Sequence, residues 1–175
     1  MPSVVHTGAD PTKLERYQQI CTELGELLAS EADLIANAAN ASALLFHSIP
    51  NINWLGFYFA RHEQLVLGPF HGRPACTRIP FGKGVCGVAA SQGKTIVVPD
   101  VNLFPGHIAC DTASRSEIVV RLLNWGKLLG VLDGDSASPN RFDDDDRDGF
   151  ESIASVFVSS LATNDLPDFV DAARF

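Results

Sequence analysis

An α+β domain, with a mainly antiparallel central sheet flanked by N-terminal and C-terminal helices, is the fold class this 175-residue chain predicts. Three observations predict it. Near the N-terminus apolar residues recur at steps of three or four, the helical period. The middle of the chain holds several short apolar segments separated by polar or Gly/Pro turns, as sequential strands do. An acidic segment leading into an apolar one then closes the chain as a helix. No internal repeat or low-complexity linker interrupts this order, and the length suits one domain, 1–175, with a developed core.

Leu14, Tyr17, Cys21, Leu24 and Leu28 place an amphipathic helix over residues 12–29. A second, Ala-rich helix is expected from about Ser30 to Phe46, with Ser30 of "SEAD" as its cap. Pro50 and the flanking Asn residues of "HSIPNIN" end the pair in a turn. "NWLGFYFA" then reads as a strand, "RHEQ" as a tight polar turn and "LVLGPF" as the return strand of a hairpin. "CTRIP" is a further short strand, and "GKGVCGVAASQGK" a short helix following glycines. "TIVVPD" reads as a buried strand stopped by Pro99, and "NLFPGHIACDTASR" as a loop. "SEIVVRLLNWGKLLGVLDGDS" is strand, "NWGK" turn, strand. "FDDDDRDGFESIASVFVSSLA" is the closing helix, whose acidic first turn suits the positive end of the helix dipole.

Composition narrows the function. A net charge of −8 argues against a nucleic-acid-binding face built on clustered Lys and Arg. The apolar runs are too short to span a bilayer, so no membrane role is expected. The first residues lack a basic start followed by an apolar core, so no secretory signal is read and a cytoplasmic location is expected. In that reducing setting four cysteines are free, catalytic or metal-bound rather than permanently paired.

Three of those cysteines, Cys76, Cys86 and Cys110, fall in one stretch. They stand much wider apart than the pairs separated by about two to four residues in structural zinc sites, so no metal is expected. Cys21, on the apolar face of the first helix, reads as a small buried hydrophobe. Cys110 sits in the polar loop "GHIACDTASRSE". Nearby His107 and Arg115 favour a thiolate there and Asp111 opposes it, which leaves Cys110 either a reactive thiol or a structural one. If the strands on either side of "NWGK" pair, Glu117, Asp133 and Asp135 come to one end of the sheet. Asp133 and Asp135 then share a face. Converging carboxylates suit a site that binds an amine and handles protons, although a solvated strand end or an Asx turn is the plainer reading of "DGDS". Trp54 and Tyr58, four apart on one strand, face the same side and either wall a small pocket or join the core.

Taken together, "NWLGFYFA", "LVLGPFHGRPACTRIPFGKGVCGVAA", "VPDVNLFPGHIACD", "SEIVVRLL" and "GKLLGVLDGDS" closely resemble the free methionine-(R)-sulfoxide reductases, a family of GAF-fold enzymes. The resemblance runs over roughly residues 12–162 and leaves residues 163–175 as a tail outside it. It is specific, because generic GAF domains lack this trio of cysteines. It implies a GAF fold and the reduction of free L-methionine (R)-sulfoxide to methionine. It implies no bound cofactor, with electrons supplied by thioredoxin or a similar dithiol protein and NADPH behind it. It assigns Cys110 as nucleophile, Cys76 as the main resolving residue and Cys86 as an alternative resolving or relay thiol. Glu117, Asp133 and Asp135 match the family's substrate-binding acids, and Trp54 and Tyr58 the aromatics around the substrate methyl group. GAF domains often pair through terminal helices, which makes a homodimer a further expectation. The chain departs from the family at Gly134, where a bulkier residue is common, and at Arg121, where proline is. Gly134 is expected to loosen the strand that holds the two aspartates. Two other readings stand beside this one: a non-enzymatic GAF sensor binding a small ligand or cyclic nucleotide, and a peroxide-reducing thiol enzyme.

Overall fold

A computed structural model describes residues 11–108, 112–161 and 170–171. It contains helices α1 (Lys13–Leu28), α2 (Leu34–Ser48), α3 (Gly84–Gln92) and α4 (Asp144–Ser159). The strands are β1 (Trp54–Arg61), β2 (Gln64–His71), β3 (Arg78–Pro80), β4 (Ile96–Val98), β5 (Ser116–Asn124), β6 (Lys127–Ser136) and β7 (Val170–Asp171). The sheet runs β3-β2-β1-β6-β5-β4, with antiparallel pairing throughout, and β7 pairs with the start of β6. The expected α+β architecture is the one observed. No helix among the described residues is long and apolar enough to cross a membrane.

The strand alternation builds two cores. Leu55, Phe57, Ile118, Val120 and Leu132 point to one face, where α1, α2 and α4 cover them with Leu24, Leu45, Phe150 and Phe157. Trp54, Tyr58, Val119 and Val131 point to the other, where α3 packs with Val85, Cys86 and Ala89. The second core is the smaller.

Local chemistry explains most element boundaries. Thr12 caps α1 in a reciprocal capping box with Glu15. The α2 helix starts four residues later than Ser30. Its cap is Asp33, whose carboxylate accepts from the backbone N–H of Ile35 and Ala36. One carboxylate serving two otherwise unpaired amides is a better cap than a serine further upstream. The "TIVV" strand is not buried as expected: β4 is a three-residue edge strand paired only to β5, and only its Val98 is buried. Cys21 is half-buried at the edge of the larger core rather than within it. The "NWGK" turn has Trp125 and Gly126 both at positive φ, 51° and 77°, the conformation that joins two strands in register through two residues.

Candidate active site

The register of three central strands assembles the site. Trp54 on β1 lies opposite Asp135 on β6, and Asp135 lies opposite Glu117 on β5. Gly56 lies opposite Asp133, which lies opposite Val119. Alternate residues share a face, so Trp54, Tyr58, Glu117, Asp133 and Asp135 all stand on the side covered by α3. They line one small pocket with Cys86 and His107. The five carboxylate and aromatic positions singled out in the sequence are thus brought together.

The aromatic wall is fixed by hydrogen bonds. Trp54 and Tyr58 stack with ring centroids 5.9 Å apart. The Trp54 indole N–H donates to the Arg73 carbonyl at 3.0 Å, and the Tyr58 hydroxyl donates to the Cys76 carbonyl at 3.0 Å. These two bonds tie the segment carrying Cys76 to the pocket wall. Cys76 is disulfide-bonded, whereas Cys21 and Cys86 carry free thiols. Cys110 lies outside the described residues.

Burial makes the carboxylates unusual. Glu117 and Asp133 are each only 6% exposed. Burial first, and then the charges of Asp133 and Asp135, push the Glu117 carboxyl well above its ordinary value. Burial likewise pushes Asp133 up to about 7. Cys86 comes down on them from the first turn of α3, its Sγ 3.2 Å from Asp133 Oδ2 and 3.8 Å from Glu117 Oε1. Burial, and then the neighbouring Asp133 and Glu117, hold Cys86 as the thiol, which donates to Asp133. Asp133 Oδ1 is buried with no hydrogen-bond partner. Burial also raises the Tyr58 phenol and keeps it neutral.

His107 enters from the preceding loop, with Nε2 3.8 Å from Glu117 Oε2. Burial lowers His107 while it raises Glu117, and both shifts work against a charged pair between them. The loop is seated by Gly84, at φ 60°. A side chain there would meet the Ile108 side chain at 3.3 Å and would also strain the backbone. Arg115, the other expected helper of the loop thiol, turns away to Asp100, 3.4 Å distant. Ser114 lines the pocket and accepts from the Asn53 side-chain amide at 3.1 Å. No motif announces Ser114, because loop closure rather than strand register places it.

Comparison with known proteins settles the family. The GAF domain model matches residues 14–161. The chain is 44% identical over 157 residues to the free methionine-R-sulfoxide reductase of Escherichia coli strain K12, covering 90% of this chain and 95% of that one. The chain belongs to the free methionine-R-sulfoxide reductase family of GAF domains. Another relative, protein YtsP of Bacillus subtilis strain 168, is 55% identical, with 86% and 93% of the two chains covered. The solved free methionine-R-sulfoxide reductase from Neisseria meningitidis, in complex with its substrate, superposes with a TM-score of 0.82 at 41% identity, covering 90% of this chain and 94% of that one.

One departure from the reductase family's pattern is compensated within the fold. Gly134 faces away from the pocket into the larger core, where a Cβ would lie 3.0 Å from the Phe150 ring and 3.4 Å from Ile118. Phe150, fully buried, takes the space a bulkier residue would fill. The strand carrying Asp133 and Asp135 is therefore packed rather than loosened, contrary to expectation.

Proposed function

We propose that this chain reduces free L-methionine (R)-sulfoxide to L-methionine. The observation that carries the reading is the buried Glu117 and Asp133, with the half-buried Asp135 beside them, facing the Trp54–Tyr58 wall, in a chain two of whose relatives are named free methionine-R-sulfoxide reductase. Both ends of a free amino acid find partners there. The orphaned Asp133 Oδ1 and the neighbouring Asp135 suit its ammonium group. The N-terminus of α3 has no side-chain cap, and Gly84 and Val85 from its first turn line the pocket, which suits a carboxylate. The flat aromatic wall suits the S-methyl group. A peptide-bound sulfoxide offers an uncharged amide where the ammonium should sit, and its chain collides with the enclosed walls.

In the reaction proposed, the Cys110 thiolate attacks the sulfoxide sulfur. The sulfoxide oxygen leaves only when protonated, and the Glu117–Asp133 pair holds a proton at neutral pH for that purpose. Attack forms a transient sulfur–sulfur bond as the protonated oxygen leaves. That oxygen, as water, then adds to the Cys110 sulfur and gives up a proton while the sulfur–sulfur bond breaks, its electron pair going to methionine. Cys110 is left as a sulfenic acid, oxidised by two electrons. The Cys76 thiol condenses with the sulfenic acid, releasing water and forming the Cys76–Cys110 disulfide. Support for that pairing comes from Cys76 being disulfide-bonded while Cys21 and Cys86 are free. A thioredoxin-type dithiol, kept reduced at the expense of NADPH, returns both thiols by exchange. Cys86 stands beside the pair as the alternative resolving or relay thiol.

The test is a thioredoxin-coupled NADPH assay on the separated free R and S sulfoxides and on a peptide-bound sulfoxide. NADPH oxidation with the free R form alone is the expected result. Equal rates with the peptide, or faster turnover of hydrogen peroxide, would overturn the reading. A nucleotide that co-purifies with an inactive protein would favour a sensor.

A further inference from the structure

Cys86, Glu117 and Asp133 come from three elements, α3, β5 and β6, that are far apart in sequence. Cys86 is 31 residues from Glu117 and 47 from Asp133. One ligand atom from each, a sulfur and two carboxylate oxygens, lies within 4.8 Å of the others, and all three residues are buried. The two sulfur–oxygen separations are 3.2 and 3.8 Å. In a tetrahedral zinc site, bonds of about 2.3 Å to sulfur and 2.0 Å to oxygen put two such ligands roughly 3.5 Å apart. The observed separations bracket that figure without any rearrangement of the backbone. Asp133 Oδ1, on a residue more than nine-tenths buried, has no hydrogen-bond partner, so this carboxyl is open to a positively charged partner.

We propose that the reduced pocket binds a borderline-soft divalent cation of the Zn2+ class through Cys86 Sγ and the carboxylates of Glu117 and Asp133, and that the bound ion excludes the substrate. The chemistry of the ligand set selects this class. A thiolate ligand disfavours Mg2+ and Ca2+, which take oxygen, and favours Zn2+, Co2+ or Cd2+. The ion takes Cys86 and the two carboxyls in their ionised forms and releases the protons that burial holds on them, so its binding strengthens as pH rises. Asp135 and His107 line the same pocket. The ion therefore occupies the place where the substrate's ammonium group would meet Asp133. Exclusion of substrate rests on the reductase reading above; binding of the ion does not.

Co2+ supplies the test, because a thiolate–Co2+ bond gives a near-ultraviolet charge-transfer band that is read without turnover. The full chain, reduced and freed of reductant under anaerobic conditions, is titrated with Co2+ and then with Zn2+. The expected result is a band that saturates at one equivalent, is displaced by Zn2+, is lost in Cys86→Ser and is retained in Cys76→Ser. Glu117→Gln should weaken binding by about tenfold or more, which keeps the test open if the serine variant misfolds. In the wild-type enzyme, Zn2+ should raise the KM for free methionine sulfoxide with kcat unchanged, and a chelator should reverse this. No band in the wild-type protein, or a band that survives in both Cys86→Ser and Glu117→Gln, would overturn the cation site and leave the reductase reading standing. Co2+ binding in a protein that never turns over a free sulfoxide would do the reverse.

Discussion

At the scale of single residues, the account turns on protons that burial holds in place. The folded state keeps Asp133 protonated up to about 7, whereas an unfolded aspartate ionises near 3.9. A raised carboxyl costs the folded state stability once the unfolded form ionises. The cost begins as pH climbs past about 4 and is complete above about 7. Asp133→Asn should therefore raise unfolding free energy at pH 8 by about 1–3 kcal/mol relative to wild type, and change it little at pH 4. Urea unfolding at the two pH values checks this. The variant should lose activity even as it gains stability. Gly134 makes the opposite point, since its missing side chain is structural. Gly134→Val should drive a branched side chain into the Phe150 ring and cost about 1–3 kcal/mol. Much of that should return when Phe150→Leu is added, as denaturation midpoints of the single and double variants would show.

At the scale of elements, one buried aspartate joins the two helices that open and close the fold. Asp146, in the first turn of α4, receives Lys13 from the start of α1 at 2.6 Å, the Tyr17 hydroxyl at 2.7 Å and the Arg141 guanidinium at 3.0 Å. It also closes the capping box with Asp143. Burial alone would raise its carboxyl, but these donors outweigh burial and hold it down to about 2. A depressed carboxyl stabilises the fold above the unfolded value near 3.9, and that stability is lost as pH falls through about 2. Asp146→Ala leaves Arg141 and Tyr17 without their buried partner and should cost about 3–5 kcal/mol at pH 7. The loss should shrink sharply at pH 2, and thermal unfolding at both values checks it. The sequence shows the acidic turn and its fit to the helix dipole. It does not show which of the four consecutive aspartates faces inward, because the partners Lys13 and Tyr17 lie more than a hundred residues away. The carboxylate set was partly legible. A two-residue turn at Trp125 and Gly126 opens the β5–β6 pairing, but a register shift between Leu122 and Leu123, which no motif announces, sets Glu117 opposite Asp135 and so on the face that Asp133 and Asp135 share. Cys86 above Asp133 was not legible, since helix packing rather than strand pairing sets that contact.

At the scale of the whole molecule, the sheet divides labour between its faces. Among the described residues, three helices on one side provide the larger core, and α3 on the other leaves room for a pocket over the same three strands. In the proposed reaction that pocket works with Cys76 and Cys110, and variants separate their roles. Cys110→Ser should abolish turnover. Cys76→Ser should release about one methionine per chain and then stall. The most direct measurement is a single turnover without any external reductant: the reduced protein is mixed with racemic free methionine sulfoxide, and methionine, residual sulfoxide and protein thiols are counted. The account predicts about one methionine per chain, drawn from the R isomer alone, with Cys76 and Cys110 lost together as one disulfide. Methionine formed with all thiols intact, or no methionine from a folded and fully reduced protein, would contradict it.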